Sequence, residues 1–171
     1  MDAKELAKQF SKVRSGDKEA FSIIYHDMKT PIYAVVLRIV GSRETAEDIT
    51  QELFVKLFVS PPDTSIKNPR AWVFQMARNL ALDALRKKQH AELDNNASSS
   101  DIPVDEWMSM QYDIEKAIMR LSTEEREIVT YYLTIGLSFK EVASIMDLSL
   151  SATYRRYRKA LTVLREHLQE V

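Results

Sequence analysis

Residues 137–168 read LSFKEVASIMDLSLSATYRRYRKALTVLREHL, and no other stretch shows its local structure so clearly. Apolar residues of its first part recur at helical spacing: Val142, Ala143 and Ile145. A break follows at Asp147-Leu148-Ser149, and a second helix is predicted from about 150 to 168. Two helices joined by so tight a turn predict a helix-turn-helix.

The second helix of this motif has an apolar face and a polar face. The apolar face is predicted to lie against the core and comprises Leu150, Thr153, Tyr157, Ala160, Leu161, Leu164 and Leu168. The outward face near the N-terminal end comprises Ser151, Tyr154, Arg155, Arg158 and Lys159. Residues 148–165 contain no acidic side chain, although a face that only contacts solvent usually mixes both signs.

This outward face has the chemistry of a helix that enters the major groove of DNA. Cationic side chains and the N-terminal backbone donors bind phosphates and base edges. We therefore predict that the helix binds duplex DNA, against the alternative of a helical hairpin with a solvated basic face. Tyr154 leaves two interpretations open, contact with a thymine methyl group or packing at the edge of the unit.

Two capping boxes are predicted in the same part of the chain, where a serine is followed three residues later by a glutamate. They are Ser122 with Glu125 and Ser138 with Glu141. Each would satisfy backbone donors at the start of a helix.

Composition limits the kind of protein. The chain has 171 residues with 45% hydrophobic content, enough for one ordinary domain or two small ones. Three glycines and five prolines favour an all-α fold. The lack of cysteine excludes disulfides and thiolate metal sites, and the three histidines lack the spacing of metal ligands. We expect no cofactor, no metal site and no catalytic site.

No targeting or membrane segment is predicted. Asp2 and Glu5 stand where a signal peptide would need basic residues. The longest apolar run, 32–37, ends at Arg38 and is far too short to span a bilayer. We therefore expect a soluble, cytoplasmic protein that neither inserts into a membrane nor acts on a small-molecule substrate.

Helix signals recur in the N-terminal part of the chain. Gly16-Asp17 opens one helix. Thr30 is predicted to be the N-cap of a further helix, with Pro31 at its first position. Gly41 is predicted to end this helix. Ser42 then caps a helix whose apolar members are Ile49, Leu53, Val55, Leu57 and Phe58. Pro61-Pro62 stops that helix.

A long helix is predicted from about 70 to 89, after the cap-plus-proline signal Asn68-Pro69. Its polar positions recur at spacings of three and four: Arg78, Asn79, Asp83, Arg86 and Lys87. Aromatic side chains beside cations suit single-stranded nucleic acid, because bases stack and phosphates pair. Most of the apolar residues also suit an ordinary core, so the residues alone leave strand binding undecided.

Charge divides the chain into three parts. Basic side chains dominate 70–90 and 148–165, and acidic side chains dominate 91–127. Residues 94–103, DNNASSSDIP, have no apolar periodicity and indicate a flexible acidic linker. We predict two small helical domains, 1–92 and 105–171, joined by a linker over 93–104.

Several runs of the sequence resemble one family. The runs AEDITQELFVKLF (46–58) and NPRAWVFQMARNLALDALRKKQ (68–89) resemble region 2 of extracytoplasmic-function (ECF) sigma factors in the sigma-70 family. The run LSTEEREIVTYYLTIGLSFKEVASIMDLSLSATYRRYRKALTVLREHL (121–168) resembles region 4. GDKEAFSIIYHDM (16–28) looks like the start of region 2, so the resemblance covers nearly the whole chain in the family's order.

The resemblance implies roles for four groups of residues. Those that match the segment binding the β′ clamp of RNA polymerase are Asp48, Gln51, Glu52, Leu53 and Phe54. Those in the loop that holds a flipped base of the −10 element are Asp63, Thr64, Ser65 and Lys67. Those of the helix beside the melted strand are Arg78, Asn79, Arg86 and Lys87. Those of the −35 reading face are Ser151, Tyr154, Arg155, Arg158 and Lys159.

One departure from the family concerns the reading helix. The family usually has Gly-Thr-Val where Ser151-Ala152-Thr153 stand. Ala152 lacks the threonine hydroxyl, which puts one phosphate contact in doubt, although Ser151 could supply a substitute. Thr153 in place of a core valine would pack less tightly.

The partners implied by the resemblance are core RNA polymerase, through its β′ clamp and β flap, and promoter DNA. Many relatives also have an anti-sigma factor. The function implied is promoter-specific initiation of transcription, with the polymerase supplying the chemistry. Two other classes stay open on the residues alone. One is a stand-alone helix-turn-helix regulator that does not require core polymerase, and the other is an interaction module that inhibits by covering a surface.

Overall fold

The computed structural model describes residues 1–63, 65–94 and 116–169, and these form helices without any strand. The prediction of an all-α fold is confirmed. The chain divides into two compact units, Met1–Ala97 and Ser98–Val171. Within the described ranges, none of the helices combines the length and hydropathy that a bilayer span requires. Residues 93 and 94 of the predicted linker are helical, so its predicted start is two residues too early. Its residues 95–104 lie outside these ranges and stay a prediction.

The described part of the first unit consists of α1 (Ala3–Arg14), α2 (Lys18–Val40), α3 (Arg43–Val59) and α4 (Pro69–Asp94). Each of them has a side-chain cap, because the first donors of a helix have no partner inside it. The capping residues are Asp2, Asp17, Ser42 and Asn68. Gly41 ends α2 at a φ of 70°, a left-handed conformation that glycine adopts without strain.

Helix α2 passes through Pro31 without a break, so the prediction of a separate helix starting at Thr30-Pro31 is wrong. A proline inside a helix removes one backbone hydrogen bond and costs about 3 kcal/mol. The helix gains more by presenting one continuous apolar face to α3 and α4. The buried residues on both sides of the proline are Ala20, Ile24, Met28, Ile32, Val35, Val36 and Ile39.

The core of the first unit lies where α2 contacts α1, α3 and α4. Its largest fully buried side chains come from all of these helices, so the described elements share one core. They are Leu6, Ile24, Met28, Ile32, Leu53, Leu57 and Phe74.

The described part of the second unit begins with helical residues 116–119. It continues with α5 (Thr123–Val129), a single π-helical turn (Thr130–Thr134), α6 (Phe139–Met146) and α7 (Leu150–Gln169). Both predicted capping boxes are confirmed, Ser122 with Glu125 at α5 and Ser138 with Glu141 at α6. Helix α7 contacts both α5 and α6.

The turn of the helix-turn-helix lies at the predicted break. Asp147 takes a left-handed conformation with φ of 54°, which short polar residues tolerate better than others. The N–H of Leu148 donates to the carbonyl of Ala143 at 2.9 Å. The hydroxyl of Ser149 accepts from the N–H of Ala152 at 3.1 Å and so caps α7.

The predicted core face of α7 is correct in its middle and wrong at its start. Thr153 and Ala160 are fully buried, and Tyr157, Leu161 and Leu164 are half-buried. Leu150 was expected in the core but is 47% exposed. It occupies the first position of the helix, at the edge of the packed part of α7. The side chain of Leu168 lies outside the described residues.

Candidate nucleic-acid interface

The outward face of α7 presents every residue that was predicted for it. All of them are exposed: Ser151, Tyr154, Arg155, Arg158 and Lys159. Exposure makes a DNA contact available to them, and the contact itself stays a prediction.

The structure separates the four cations in the N-terminal half of this helix into two pairs. Arg156 Nε lies 3.0 Å from Glu124 Oε2, and Lys159 Nζ lies 3.0 Å from Glu125 Oε1. A spacing of three residues puts both cations on the side of α7 that contacts α5. These two cations therefore tie α7 to the start of α5.

Arg155 and Arg158 form the other pair. Both are exposed, and neither takes part in an ion pair with any of the described residues. They are also three residues apart, so they lie one turn from each other on one side of the helix. Their charges remain available for an anionic ligand.

The ion pair of Lys159 makes its predicted contact with DNA less favourable. Its partner Glu125 has a side chain that is only 8% exposed. A contact between Lys159 and DNA would have to share or break this ion pair, which would leave a nearly buried carboxylate with one partner fewer. Among the predicted contact cations of α7, Lys159 is therefore the one already held in an ion pair within its own unit.

The carboxylate of Glu125 also completes the cap of α5. Its Oε2 accepts from the backbone N–H of Ser122 at 3.0 Å and from the Ser122 hydroxyl at 2.9 Å. Burial by itself would raise the pKa of Glu125, but the hydrogen bonds from Lys159 and Ser122 outweigh it and hold the pKa below its ordinary value. Glu125 is thus kept charged at the junction of α5 and α7.

An aromatic cluster lies behind the N-terminal half of α7. Phe139 stacks on Tyr132 with ring centroids 4.1 Å apart, and Tyr154 meets Phe139 edge to face at 5.6 Å. The ring centroid of Tyr157 lies 5.0 Å from that of Tyr132 and 5.1 Å from that of Phe139. Burial raises the pKa of Tyr157, and the neighbouring Tyr132 and Tyr154 raise it further. The cluster fixes the orientation of Tyr154, which is nevertheless half exposed.

The segment that departs from the family pattern satisfies its own polar groups. Thr153 is fully buried, and its hydroxyl donates to the carbonyl of Ser149 at 3.0 Å. The hydroxyls of Ser149 and Ser151 lie 3.2 Å apart. The threonine in the core therefore leaves no unsatisfied hydroxyl, since the preceding turn accepts its hydrogen bond.

In the first unit, α4 carries the polar residues that were predicted beside a melted strand. Asn79, Arg86 and Lys87 are exposed, and Arg78 is half-buried. Asn79 and Arg86 are seven residues apart, so they lie on one face about two turns apart. Arg86 Nη1 also lies 3.0 Å from Asp83 Oδ1, in an ion pair that is exposed on both sides.

The loop between α3 and α4 is anchored by α1. Arg14 Nη1 lies 3.1 Å from Asp63 Oδ1, and it donates to the carbonyl of Pro62 at 3.5 Å. Beneath the loop is a small cavity whose lining includes Ala7, Phe10, Pro62, Ile66 and Pro69. Of the other predicted loop residues, Ser65 and Lys67 are exposed, and Thr64 lies outside the described residues.

Helix α3 has only part of its predicted contact residues at the surface. Asp48, Gln51 and Glu52 are exposed on its outer face. Leu53 and Phe54 were expected to present apolar groups to a partner, but they are 0% and 4% exposed. They point into the core instead.

Packing explains why Phe54 is buried. The centroid of its ring lies 4.8 Å from the ring centroid of Tyr25 and 6.4 Å from that of Phe21, and both of these residues belong to α2. Edge-to-face contacts of this kind add to the free energy gained by burial. Phe54 therefore holds α3 to α2 and does not offer a surface.

The exposed apolar residues of α3 are others: Val55, Phe58 and Val59. Val55 was placed among the apolar members of this helix without a stated direction, and it is 61% exposed. Helical spacing could have indicated this, because Val55 follows Asp48 by seven residues and Gln51 by four. The outer face of α3 thus combines acidic and apolar side chains, and one of its carboxylates, that of Glu52, lies 2.8 Å from Lys56 Nζ in an exposed ion pair.

Two family models match the chain, Sigma-70 region 2 over residues 24–91 and Sigma-70 region 4 over residues 117–166. The ECF RNA polymerase sigma factor SigW of Bacillus subtilis is 25% identical over 183 residues, covering 97% of this chain and 98% of the relative. The RNA polymerase sigma factor CarQ of Myxococcus xanthus is 27% identical over 167 residues, covering 92% and 94%.

Two solved structures share the fold. The sigma factor RpoE from Bartonella quintana, in complex with the anti-sigma factor NepR, matches with a TM-score of 0.73 and 22% identity, over 87% of this chain and 96% of that one. CnrH, in complex with the cytosolic domain of CnrY, matches with a TM-score of 0.72 and 20% identity, over 97% and 98%.

Proposed function

We propose, since this chain belongs to the sigma-70 family and to its extracytoplasmic-function type, that it binds core RNA polymerase and directs promoter-specific initiation of transcription. Helix α7 contacts the duplex of the −35 element. The first unit holds unpaired bases of the −10 element. Nucleotide addition belongs to the polymerase, and the protein acts where that polymerase works, in the bacterial cytoplasm.

The observation that carries the −35 assignment is the separation of the cations on α7. Arg155 and Arg158 are exposed and have no ion pair within the described residues, while Arg156 and Lys159 are held by acids of α5. An arginine whose fork is not engaged can bind a phosphate or the O6 and N7 atoms of guanine. We therefore assign base or phosphate contact first to Arg155 and Arg158, with Ser151 and Tyr154 beside them.

The −10 assignment rests on α4 and on the loop before it. Flipping a base out of the stack costs a few kcal/mol, which a protein offsets with stacking and polar contacts. We propose that Asn79, Arg86 and Lys87 supply such contacts from α4. Ser65 and Lys67 would do so from the loop.

The polymerase contact is proposed for the outer face of α3. This face combines Asp48, Gln51 and Glu52 with the exposed Val55 and Val59. Carboxylates around an apolar centre suit a basic helical partner, because the charges orient the partner and the apolar groups stabilise the complex. An anti-sigma factor is a further proposed partner, since the related fold of RpoE is found in complex with one.

Run-off transcription with purified core polymerase tests the function. We expect a promoter-dependent transcript only when this chain and core enzyme are both present. A stand-alone regulator would instead bind promoter DNA tightly without polymerase. If the reconstituted mixture starts no transcript from any candidate promoter, the proposal is wrong.

Matched substitutions test the assignment on α7. We expect Arg155→Ala and Arg158→Ala each to lower promoter binding by the holoenzyme about tenfold or more, as expected for loss of a good base or phosphate contact. Arg165→Ala is the control, because Arg165 is an exposed cation of the same helix, ten residues after Arg155. Loss of a phosphate contact should also reduce the salt dependence of binding by about one unit of slope. Equal effects of all three substitutions would contradict the assignment.

A further inference from the structure

A shallow, largely apolar groove lies at the start of α7. It is lined by Ser138, Phe139, Lys140, Leu150, Ser151 and Tyr154. Leu150 is 47% exposed and Tyr154 is 50% exposed, although both are large apolar side chains. Its lining residues Ser151 and Tyr154 belong to the face proposed for the −35 element, but the contacts of Arg155 and Arg158 leave the apolar part of the groove, Leu150 above all, unexplained.

Leu150 and Tyr154 are four residues apart, so they lie on the same side of α7, one turn from each other. Phe139 of α6 closes the groove from the other side through its contact with Tyr154. The stacking of Phe139 on Tyr132 holds this wall in place. The groove is therefore a preformed apolar feature between the two helices of the motif.

Cationic side chains lie beside the groove on both helices, and the carboxylate of Glu141, which contacts Ser138 of the lining, is engaged in the cap of α6. Lys140 is part of its lining, and Arg155 and Arg158 follow Tyr154 along the exposed side of α7. The lining contains no acidic side chain. Such surroundings suit an apolar group that belongs to a polyanion and disfavour an apolar segment of a basic protein.

Duplex DNA offers one apolar group of this kind in its major groove, the C5-methyl group of thymine. We propose that the groove receives a thymine methyl group of the −35 duplex. Leu150 and Tyr154 are then the residues that determine a preference for thymine at that base pair. This inference rests on the proposed function, because it deepens the assignment of α7 to the −35 element.

The test compares thymine with deoxyuridine, which differs by the methyl group alone. Holoenzyme reconstituted from core polymerase and the full chain first selects promoters from a library randomised in the −35 element. Each enriched thymine is then replaced by deoxyuridine. We expect one such replacement to weaken promoter binding about fourfold, the factor associated with burial of one methyl-sized group.

Substitution of the groove completes the test. Leu150→Ala should abolish the difference between thymine and deoxyuridine while transcription continues. Leu133→Ala is the matched control, because Leu133 lies in the same unit, is 54% exposed and is not part of the groove. It should leave the fourfold difference unchanged. Tyr154→Phe, which keeps the ring, should also leave it unchanged.

Other outcomes overturn the inference. Equal binding to thymine and deoxyuridine at every −35 position, with transcription intact, would show that no methyl group is recognised. If Leu150→Ala weakened binding equally on both templates, the groove would contact protein, or support the helix, and would not contact the base. A complete lack of transcripts would count against the proposed function itself and would overturn both.

Discussion

Lys159 on α7 and Glu125 on α5 form an ion pair with 3.0 Å between Nζ and Oε1, and the same carboxylate caps α5 through Ser122. The side chain of Glu125 thus caps α5 and also holds α7 beside it. The lysine end is exposed and the glutamate end is nearly buried. The ion pair therefore gives Lys159 a structural role, although its position in the sequence predicted a contact with DNA.

Removal of Lys159 should destabilise the second unit. In Lys159→Ala the nearly buried carboxylate keeps only the donors of Ser122, and we expect a loss of about 1–2 kcal/mol. Amide hydrogen exchange of α5 and α7 in the full chain measures this loss. Lys140→Ala is the control, since Lys140 is an exposed lysine of the same unit without an ion pair in the described ranges, and its effect should stay within about 0.5 kcal/mol. Equal effects of the two substitutions would show that the ion pair contributes nothing.

The same carboxylate predicts a dependence on pH. The pKa of Glu125 lies below its ordinary value of 4.5. A carboxyl group with a lowered pKa stabilises the fold above its unfolded pKa, and this contribution is lost as the pH falls through the folded pKa. We expect the protection of α5 and α7 amides to decrease on acidification below about pH 4.5, and to decrease less in Glu125→Gln, which no longer titrates. An identical acid response in the two proteins would assign the loss to other groups.

Arg14 should affect the −10 step without affecting the −35 step. Its guanidinium anchors the loop before α4 through Asp63 and the carbonyl of Pro62. The pair is partly exposed, so its contribution is modest, and we expect Arg14→Ala to reduce open-complex formation by about threefold. Permanganate reactivity of unpaired thymines measures the open complex. Lys12→Ala, an exposed cation of the same helix, should have no effect, and similar losses in both would refute the anchoring role.

Two neighbouring residues of α3 should separate folding from partner binding. Leu53 is fully buried, so Leu53→Ala should destabilise the first unit by about 2–5 kcal/mol. Val55 is 61% exposed, so Val55→Glu should leave the stability nearly unchanged but weaken binding to core polymerase by tenfold or more. Urea unfolding and a binding titration with core enzyme distinguish the two effects. A stable Leu53→Ala protein would contradict the packing of α3, and unchanged binding by Val55→Glu would exclude this face as the contact.

Local chemistry made much of the fold predictable. The serine and aspartate caps, the glycine that ends α2 and the turn at Asp147–Ser149 all depend on residues close together in the chain. Hydrogen bonds between a cap and the backbone three residues away need no distant partner, so the pattern of residues suffices. The role of Pro31 in α2 was misinterpreted because it depends on the burial of the flanking apolar face, which is not a local quantity.

The residues of this chain, taken in order, therefore establish an all-helical protein, the ends of most of its helices, its helix-turn-helix and its family. They do not establish which side chains of a face are free. Helix packing paired Arg156 with Glu124 and Lys159 with Glu125, and it left Arg155 and Arg158 without an ion pair to any residue that the structure describes. It also buried Phe54 and exposed Leu150. These outcomes depend on groups distant in sequence that packing brings within a few ångströms, where Coulomb attraction and burial act.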